Sequence, residues 1–300
     1  MICFHHNDLD GICAGAIVKK FCPKCAMYQI DYSDEFPFKM IKRGDTVYMV
    51  DFSIEPFSDM LKLNKLCNLI WIDHHPTAIK ASEEHDIKIE GIRKVGISGC
   101  ELTWIYLTEK ATPNFSGLNA FSMPLAVRLL GRYDVWDLNF SPEVLPFQEG
   151  MKLYTPKEVE PSSPLWKTLL KDGDNIQPII ENGKKLLKYR KSQDEKYAKK
   201  FSFEGIFEGL KAIFVNRGLA NSLLLESVFN PKKHDIMVVF CMLPDKRWTV
   251  NLYSDIPKIN CGEIAFKYGG GGHDRAAGFI TNDLWFLPES RVTEKGVKVK

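Results

Sequence analysis

The segment Leu69-Ile70-Trp71-Ile72-Asp73-His74-His75-Pro76 joins an apolar run to one carboxylate and two imidazoles. The apolar part predicts a buried strand, and the polar side chains follow at its carboxyl end. Two other strand candidates end in the same way: Ile2-Cys3-Phe4 leads into His5-His6-Asn7-Asp8-Leu9-Asp10-Gly11, and Thr46-Val47-Tyr48-Met49-Val50 leads into Asp51. Because the carboxyl ends of parallel strands line one crevice, we expect these groups to meet there. The pattern indicates a metal site.

Strand and helix candidates alternate along the first half of the chain. A further strand is predicted over 26–32, and the short run Ile87-Lys88-Ile89 predicts another. Helices are predicted over 12–21, 56–67 and 123–130, the last broken at Gly131, and after Ser98-Gly99-Cys100-Glu101, which fits a capping box. The five prolines of 142–164 favour a surface excursion. This alternation predicts an α/β fold with a doubly wound parallel sheet over residues 1–173.

The second half of the chain predicts a helical linker and a smaller domain. An amphipathic helix is expected over 174–200, with Asp174 as its N-cap. Its lysine-rich second half is either a solvated face or a basic wall beside a phosphate groove. A smaller α/β domain is expected over 201–284, with a helix near 221–229, followed by a poorly ordered tail over 285–300.

Composition limits the classes of protein. The chain has 300 residues, of which 45% are hydrophobic and 26% charged, and its net charge of +2 gives no general polyanion signal. We expect a cytoplasmic protein without a signal peptide or a membrane span. The eight cysteines mostly lie in apolar runs. Cys22-Pro-Lys-Cys25 alone is weak evidence for zinc, and a structural role is favoured.

The polar groups at the three strand ends predict a reaction class. Imidazole and carboxylate donors without thiolates suit Mn²⁺, Mg²⁺ or Fe²⁺. Asp8 and Asp10 could each serve a different ion, and Asp51 could bridge the two. Two such ions stabilise the attacking and leaving oxygens of a displacement at phosphorus, which predicts phosphoester hydrolysis. The glycine run before His273 would allow backbone amides to approach a phosphate closely, with His273 as a donor.

The order of these motifs resembles that of the DHH phosphoesterase superfamily with its DHH-associated C-terminal domain. The resemblance spans about residues 1–282 and rests on the His6–Gly11 segment, Asp51, Asp73-His74-His75, the Asp134 segment and Gly269–Gly278. It implies an N-terminal α/β domain that binds two Mn²⁺ ions and a C-terminal domain that grips the substrate. Members include RecJ-type exonucleases, nanoRNases that also act on pAp, cyclic-dinucleotide phosphodiesterases, and pyrophosphatases or exopolyphosphatases.

The resemblance also implies a role for individual residues. His6 and Asp8 would bind one metal ion, Asp10, His74 and Asp134 the other, and Asp51 would bridge them. His75 would contact the phosphate or the nucleophilic water, and Asp73 would orient the histidine pair. The residues expected to bind substrate are Gly270, Gly271, Gly272, His273, Arg275 and Tyr253.

Two departures from the family pattern leave alternatives open. Some members place the first histidine further upstream, so His5 rather than His6 could be the ligand. The nanoRNase group commonly has an arginine in the strand before the glycine motif, where this chain has Val250-Asn251-Leu252-Tyr253-Ser254. Tyr253 could stack on a base but cannot pair with a phosphate, and Arg217 and Arg275 are the candidates to supply that cation.

The function favoured by the sequence is hydrolysis of short nucleotides by a Mn²⁺-dependent phosphodiesterase or phosphatase, with Mg²⁺ as the other candidate ion. The substrate would be nanoRNA, pAp or a linear dinucleotide. The alternatives are a polyphosphate or pyrophosphate hydrolase, a RecJ-type exonuclease, and a metal-free nucleotide sensor. The sequence leaves the oligomeric state open, and a homodimer is one of the alternatives.

Overall fold

A computed structural model of the protein describes residues 1–85, 87–111, 122–171 and 176–287. The chain divides into two compact units, Met1–Lys188 and Tyr189–Lys300. The division falls inside the predicted linker segment, within the helix Gln177–Phe201. The predicted N-cap Asp174 lies outside the described residues, as does the predicted boundary between 173 and 174.

The N-terminal unit is built on a four-stranded parallel sheet with the order β2-β1-β3-β4. Its strands are β1 (Ile2–His6), β2 (Ala26–Ile30), β3 (Thr46–Val50) and β4 (Asn68–Ile72). Its helices are α1 (Leu9–Phe21), α2 (Ser58–Leu66), α3 (Pro76–Glu84), α4 (Gly99–Ala111), α5 (Leu125–Asp134), α6 (Val144–Met151), α7 (Pro156–Val159) and α8 (Pro164–Leu169), and α9 (Gln177–Phe201) begins in this unit.

Apolar side chains cover both faces of this sheet. Alternate strand residues point to opposite faces, so Cys3, Val50 and Ile72 pack in one core cluster with α1, α4 and α5. Phe4, Met49 and Trp71 pack in a second cluster with α2 and α3. Burial on both faces explains why the strands are nearly continuous apolar runs. The predicted doubly wound α/β fold is confirmed.

The proline-rich segment is not the surface excursion that we predicted. It forms α6, α7 and α8, and it buries Phe147 and Trp166, which are 0% and 2% exposed. Pro156 and Pro164 occupy the first positions of α7 and α8. The first amides of a helix have no partner within the helix, so a proline there removes no hydrogen bond.

Two further local predictions for this unit are wrong. Residues 87–89 form no strand, and isolated bridges occur only just beyond them, between Ile70 and Glu90 and between Asp73 and Arg93. The helix predicted to break at Gly131 continues to Asp134 as α5. A Cβ atom at Gly131 would lie 2.3 Å from Ser98 Oγ, so the glycine permits close packing against the start of α4.

The C-terminal unit contains a six-stranded mixed sheet with the order β5-β6-β7-β8-β10-β9. Only the β6–β7 pair is parallel among its described strand pairs. Its elements after α9 are β5 (Phe203–Phe207), β6 (Leu210–Asn216), β7 (Ile236–Met242), β8 (Trp248–Tyr253), α10 (Cys261–Phe266), β9 (Gly271–His273) and β10 (Ala276–Thr281).

Two predictions for this unit are corrected. The helix expected near 221–229 is only a 3-10 turn, Ser222–Leu225, which buries Leu224 and Leu225. The tail expected to be poorly ordered from Trp285 is packed over its first residues, because the Phe286 ring stacks on Phe214 at a centroid distance of 5.4 Å. Residues 288–300 of that tail lie outside the described residues.

Candidate metal centre

The centre of the N-terminal sheet brings three strand ends together. The chain moves from β1 to β2 on one side and later to β3 and β4 on the other, so β1 and β3 flank a topological switch point. Crevices at the carboxyl ends of strands at such a point are the usual ligand sites of open α/β sheets. His6 ends β1, Asp51 follows β3, and Asp73 follows β4.

Asp51 is the most constrained residue of this crevice. It has a left-handed backbone with φ of 55° and is 1% exposed. Neither of its carboxylate oxygens has a hydrogen-bond partner among the described residues. Burial, followed by the charges of Asp10 and Asp8, raises its pKa well above the ordinary value for an aspartate. A buried carboxylate that accepts no hydrogen bond is costly, and a bound cation would compensate it.

One candidate ligand group consists of His6, Asp8 and Asp51, whose ligand atoms lie within 4.8 Å of one another. His6 Nδ1 is 2.9 Å from Asp8 Oδ2 and 3.8 Å from Asp51 Oδ2. The other oxygen of Asp8 accepts a hydrogen bond of 2.8 Å from Gly11 N and caps α1. The helix start therefore fixes this carboxylate beside His6.

A second candidate group consists of Asp10, Asp51 and His74, again within 4.8 Å. His74 Nε2 lies 3.1 Å from Asp51 Oδ1 and 3.3 Å from Asp134 Oδ2. Asp134 is the last residue of α5, and its buried Oδ2 has no hydrogen-bond partner among the described residues. Asp51 thus belongs to both groups, and its two oxygens face different histidines.

The amino end of α4 holds Asp10 in place. Asp10 accepts hydrogen bonds of 2.7 Å from Gly99 N and 3.2 Å from Cys100 N. A Cβ atom at Gly99 would lie 2.5 Å from Asp51 Cβ, so only glycine allows α4 to come this close. The sequence predicted a helix start here but not its contact with the candidate ligands. The feature of the sequence that could have indicated this contact is Gly99, the small residue inside the predicted capping box.

Asp73 orients the two histidines that follow it. Its Oδ1 accepts hydrogen bonds from His74 N at 2.7 Å and His75 N at 3.3 Å, and it lies 2.7 Å from His75 Nδ1. Trp71 Nε1 donates to the other oxygen over 3.3 Å. Asp73 is fully buried, so these contacts hold the side chain and the His75 ring in one orientation.

His5 and His6 have different surroundings because they point to opposite faces of β1. His5 is 2% exposed, and a Cβ atom on Gly15 of α1 would lie 2.9 Å from its ring. Burial lowers the pKa of His5 to about 4. The geometry therefore favours His6 over His5 as the ligand.

The substrate-binding candidates of the C-terminal unit lie near one end of its sheet. Gly271, Gly272 and His273 form β9, which pairs with β10 in antiparallel register. A Cβ atom at Gly270 would lie 2.1 Å from Gly278 O, so close backbone packing requires that glycine. Tyr253 ends β8 and pairs with Ala276, and its hydroxyl donates to Ala220 O over 3.3 Å.

The two arginines considered as phosphate partners differ in their surroundings. Arg217 Nη1 is 2.9 Å from Asp194 Oδ1, and its guanidinium lies over the Tyr197 ring at 4.7 Å. Arg275 is exposed, and its carbonyl oxygen accepts a hydrogen bond from Ser254 N over 3.1 Å. Asp194 thus already neutralises Arg217 in part.

The donors gathered in the crevice fit divalent cations. Each of the two groups combines carboxylate oxygens with an imidazole nitrogen. Oxygen and nitrogen donors of this kind suit Mn²⁺ and Mg²⁺ better than ions that prefer thiolates. The shared Asp51 would allow two ions to lie side by side.

Comparison with known proteins agrees with this picture. Residues 1–123 match the DHH family, N-terminal domain. An uncharacterized protein of Acanthamoeba polyphaga mimivirus is 26% identical over 309 residues, covering 98% of this chain and 62% of the viral protein. The chain therefore spans less than two thirds of the length of that relative.

A solved structure with a TM-score above 0.5 shares the fold. The DHH domain of a member of the s1p family of ribosomal proteins is 12% identical, with a TM-score of 0.55, over 93% of this chain and 82% of that one. A pGpG-specific phosphodiesterase, PggH from Vibrio cholerae, is 13% identical, with a TM-score of 0.47, over 93% and 92% of the two chains.

The match to the DHH family, N-terminal domain, covers residues 1–123, which is less than half of the chain. No helix within the described ranges is both long and apolar enough to cross a membrane.

Proposed function

We propose that the protein is a phosphodiesterase or phosphatase that acts on short nucleotide substrates by a two-metal mechanism. The substrate would be nanoRNA, pAp or a linear dinucleotide. The observation that carries the two-metal part is the position of Asp51, a buried carboxylate that belongs to both ligand groups. Such a bridge is what two adjacent cations require.

The proposed ligands divide between two ions. His6 and Asp8 would hold one ion, while Asp10, His74 and Asp134 would hold the other, and Asp51 would contribute one oxygen to each. When bound, the ions supply positive charge for the phosphate oxygens and a more acidic water. Mn²⁺ is our preferred ion, because the donor set combines imidazoles with carboxylates, whereas Mg²⁺ favours oxygen donors alone.

His75 is the proposed group that contacts the phosphate or the attacking water. The contact between its Nδ1 and Asp73 favours the tautomer with the proton on Nδ1 and directs Nε2 away from Asp73. Asp73 also stabilises positive charge on the ring, and it raises the pKa of His75 against the effect of burial. The pair would therefore hold a proton near the leaving or attacking oxygen.

The C-terminal unit would bind the rest of the substrate. We propose that the Gly270–Gly272 backbone and His273 contact a phosphate, and that Arg275 rather than Arg217 supplies a further cation. The exposure of Arg275 and the ion pair of Arg217 with Asp194 support this choice. Tyr253 is the proposed stacking residue of this unit, since it stands at the end of β8 beside the β10 strand.

The test is a comparison of substrates in one set of conditions. Product release from 5′-labelled RNA dimers to pentamers, from pAp and from polyphosphate is followed in Mn²⁺, with EDTA as the control. We expect EDTA-sensitive release of mononucleotides from the short RNAs or of phosphate from pAp. Release of phosphate from polyphosphate alone would leave the metal site standing but would contradict the nucleotide substrate.

A further inference from the structure

The N-terminal unit contains a cavity beside the His6 ligand group. Its volume is about 640 Å³, within the range of pockets that bind small molecules. It is lined by residues that follow β2, by the loop after β3 and by α2. All three segments belong to the same compact unit, so the cavity is a feature of that unit alone.

One wall of the cavity is aromatic. Tyr32 and Phe52 have ring centroids 4.7 Å apart, and Phe36 and Phe38 lie 4.9 Å apart along the same lining. Phe52 is 3% exposed and Phe36 is 8% exposed, whereas Tyr32 is 42% exposed. The buried Phe52 ring therefore supports the Tyr32 ring, which offers a surface on which a planar group can stack.

The aromatic wall borders the candidate metal ligands. The Tyr32 centroid lies 5.5 Å from that of His6 and 6.3 Å from that of His75. Phe52 directly follows Asp51, and its ring is 6.2 Å from His6. A phosphate ester held between these histidines would have its neighbouring substituent within reach of the cavity.

The charges of the cavity disfavour a polyphosphate chain and favour a group with N–H donors. Its lining carries four carboxylates, which are Asp34, Glu35, Glu55 and Asp59, and one ammonium, Lys62. Lys62 is already paired with Asp59 at 2.5 Å. Glu55 has neither a hydrogen bond nor an ion pair within the described residues, although its charge contributes to the raised pKa of Tyr32, after burial, Asp73 and Asp51. An acceptor is therefore available close to the stacking ring.

We propose that this cavity binds a nucleobase of the substrate, which stacks on Tyr32 and donates N–H groups to the Glu55 carboxylate. The inference rests on the proposed function and names the part of the nucleotide that the N-terminal unit recognises. Guanine is the expected base, because its adjacent imino and amino N–H groups can be accepted together by one carboxylate. Uracil presents a single N–H between two carbonyl oxygens, which the carboxylates would repel.

The first experiment measures steady-state hydrolysis of 5′-phosphorylated diguanylate, diuridylate and an abasic dinucleotide by the full chain in Mn²⁺. Tyr32→Ala should raise KM for diguanylate about tenfold or more, which is the usual size of a lost base stack, and should leave the abasic substrate unchanged. Tyr28→Ala is the matched control, because Tyr28 is a half-exposed tyrosine of β2 outside the cavity lining. Tyr32→Leu replaces Tyr32→Ala if the alanine variant does not fold.

A second pair of variants tests the proposed hydrogen bond. Glu55→Gln should abolish the preference for diguanylate over diuridylate. It should also remove the difference in KM between the guanosine dinucleotide and its inosine counterpart, whose base lacks the amino group. Glu83→Gln, an exposed glutamate of α3, should keep both preferences. Equal KM values for diguanylate in the wild type, Tyr32→Ala and Glu55→Gln would overturn the inference.

Direct binding separates this inference from the proposed function. Calorimetric titration with GMP needs no turnover, so it tests the cavity even if the wild type hydrolyses no dinucleotide, a result that would contradict the proposed function alone. We expect GMP to bind the wild type and Tyr28→Ala with equal Kd and to bind Tyr32→Ala about tenfold or more weakly. Undetectable GMP binding to the wild type, or equal Kd for all three proteins, would overturn the nucleobase site.

Discussion

At the scale of single residues, the site depends on carboxylates that the protein itself buries. Asp51 and Asp134 have raised pKa values, because burial and the neighbouring carboxylates both disfavour their charged forms. The backbone amides of Gly99 and Cys100 donate hydrogen bonds to Asp10, which offset part of the free-energy cost of burying its carboxylate. Bound cations would compensate the remaining negative charges, so metal binding would be a property of these residues together.

Asp51→Asn tests the proposed bridge. Asparagine also tolerates the left-handed backbone at this position, so the variant should fold while its neutral amide binds cations poorly. We expect hydrolysis of the best nucleotide substrate to fall at least about a hundredfold, roughly 3 kcal/mol in barrier. Retention of more than about one hundredth of the rate in Mn²⁺ would argue against a bridging role. Asp245→Asn, which changes an exposed carboxylate of the C-terminal unit, should keep full activity.

Asp73→Asn tests the orientation of His75. The amide cannot stabilise positive charge on the ring, so kcat should fall about 10- to 100-fold with little change in KM. Because Asp73 would act through His75, the double variant Asp73→Asn/His75→Gln should be no slower than His75→Gln alone. Additive losses of kcat in this double-mutant cycle would show that Asp73 acts independently of the histidine.

At the scale of elements, helix ends and close helix contacts place the ligands. The N-cap of α1 fixes Asp8, the start of α4 holds Asp10, and the end of α5 presents Asp134. The α6–α8 segment supports these helices, since Phe147 of α6 and Trp166 of α8 belong to the same core cluster as α1, α4 and α5. Pro156 and Pro164 begin α7 and α8 instead of preventing them.

A pair of substitutions tests the structural role of the α6–α8 segment. Phe147→Ala removes a fully buried ring and should lower the free energy of unfolding by about 3–5 kcal/mol. Leu153→Ala, at a position that is 54% exposed in the following turn, should change it by less than about 0.5 kcal/mol. Denaturant titration with circular dichroism measures both. Equal and small changes in the free energy of unfolding for both variants would support the surface excursion that was predicted from the prolines.

At the scale of the whole molecule, metal binding would be linked to folding of the N-terminal unit. The candidate ligands come from β1, the start of α1, α5 and the residues after β3 and β4, so they are gathered only in the folded unit. A ligand that binds only the folded state stabilises it by mass action. Bound ions would therefore stabilise the folded sheet that joins these elements.

Thermal denaturation measures this linkage. At a free Mn²⁺ concentration about 100 times Kd, one site should contribute about 2.7 kcal/mol and raise Tm relative to protein in EDTA. The shift should be largely lost in Asp51→Asn and kept in Asp245→Asn. A shift of the same size in wild type and Asp51→Asn would place the stabilising ions elsewhere.

Local patterns in the sequence were sufficient for the alternation of strands and helices and for the polar groups that follow β1, β3 and β4. A strand that is buried on both faces is an apolar run in the sequence. The polar residues that line the crevice at its carboxyl end therefore begin where the apolar run stops. The roles of the candidate ligands were predicted from the sequence and stay predictions until activity and metal binding are measured.

The sequence by itself determined the α/β class of the N-terminal unit and supplied the candidate metal ligands, because both depend on neighbours along the chain. Only the tertiary structure decided that α5 continues through Gly131, that α6–α8 is buried, and that Gly99 closes on Asp51. It also decided that Tyr32 and Phe52 form a cavity wall beside His6. These features arise from packing between residues far apart in the chain, where close contact outweighs local propensity.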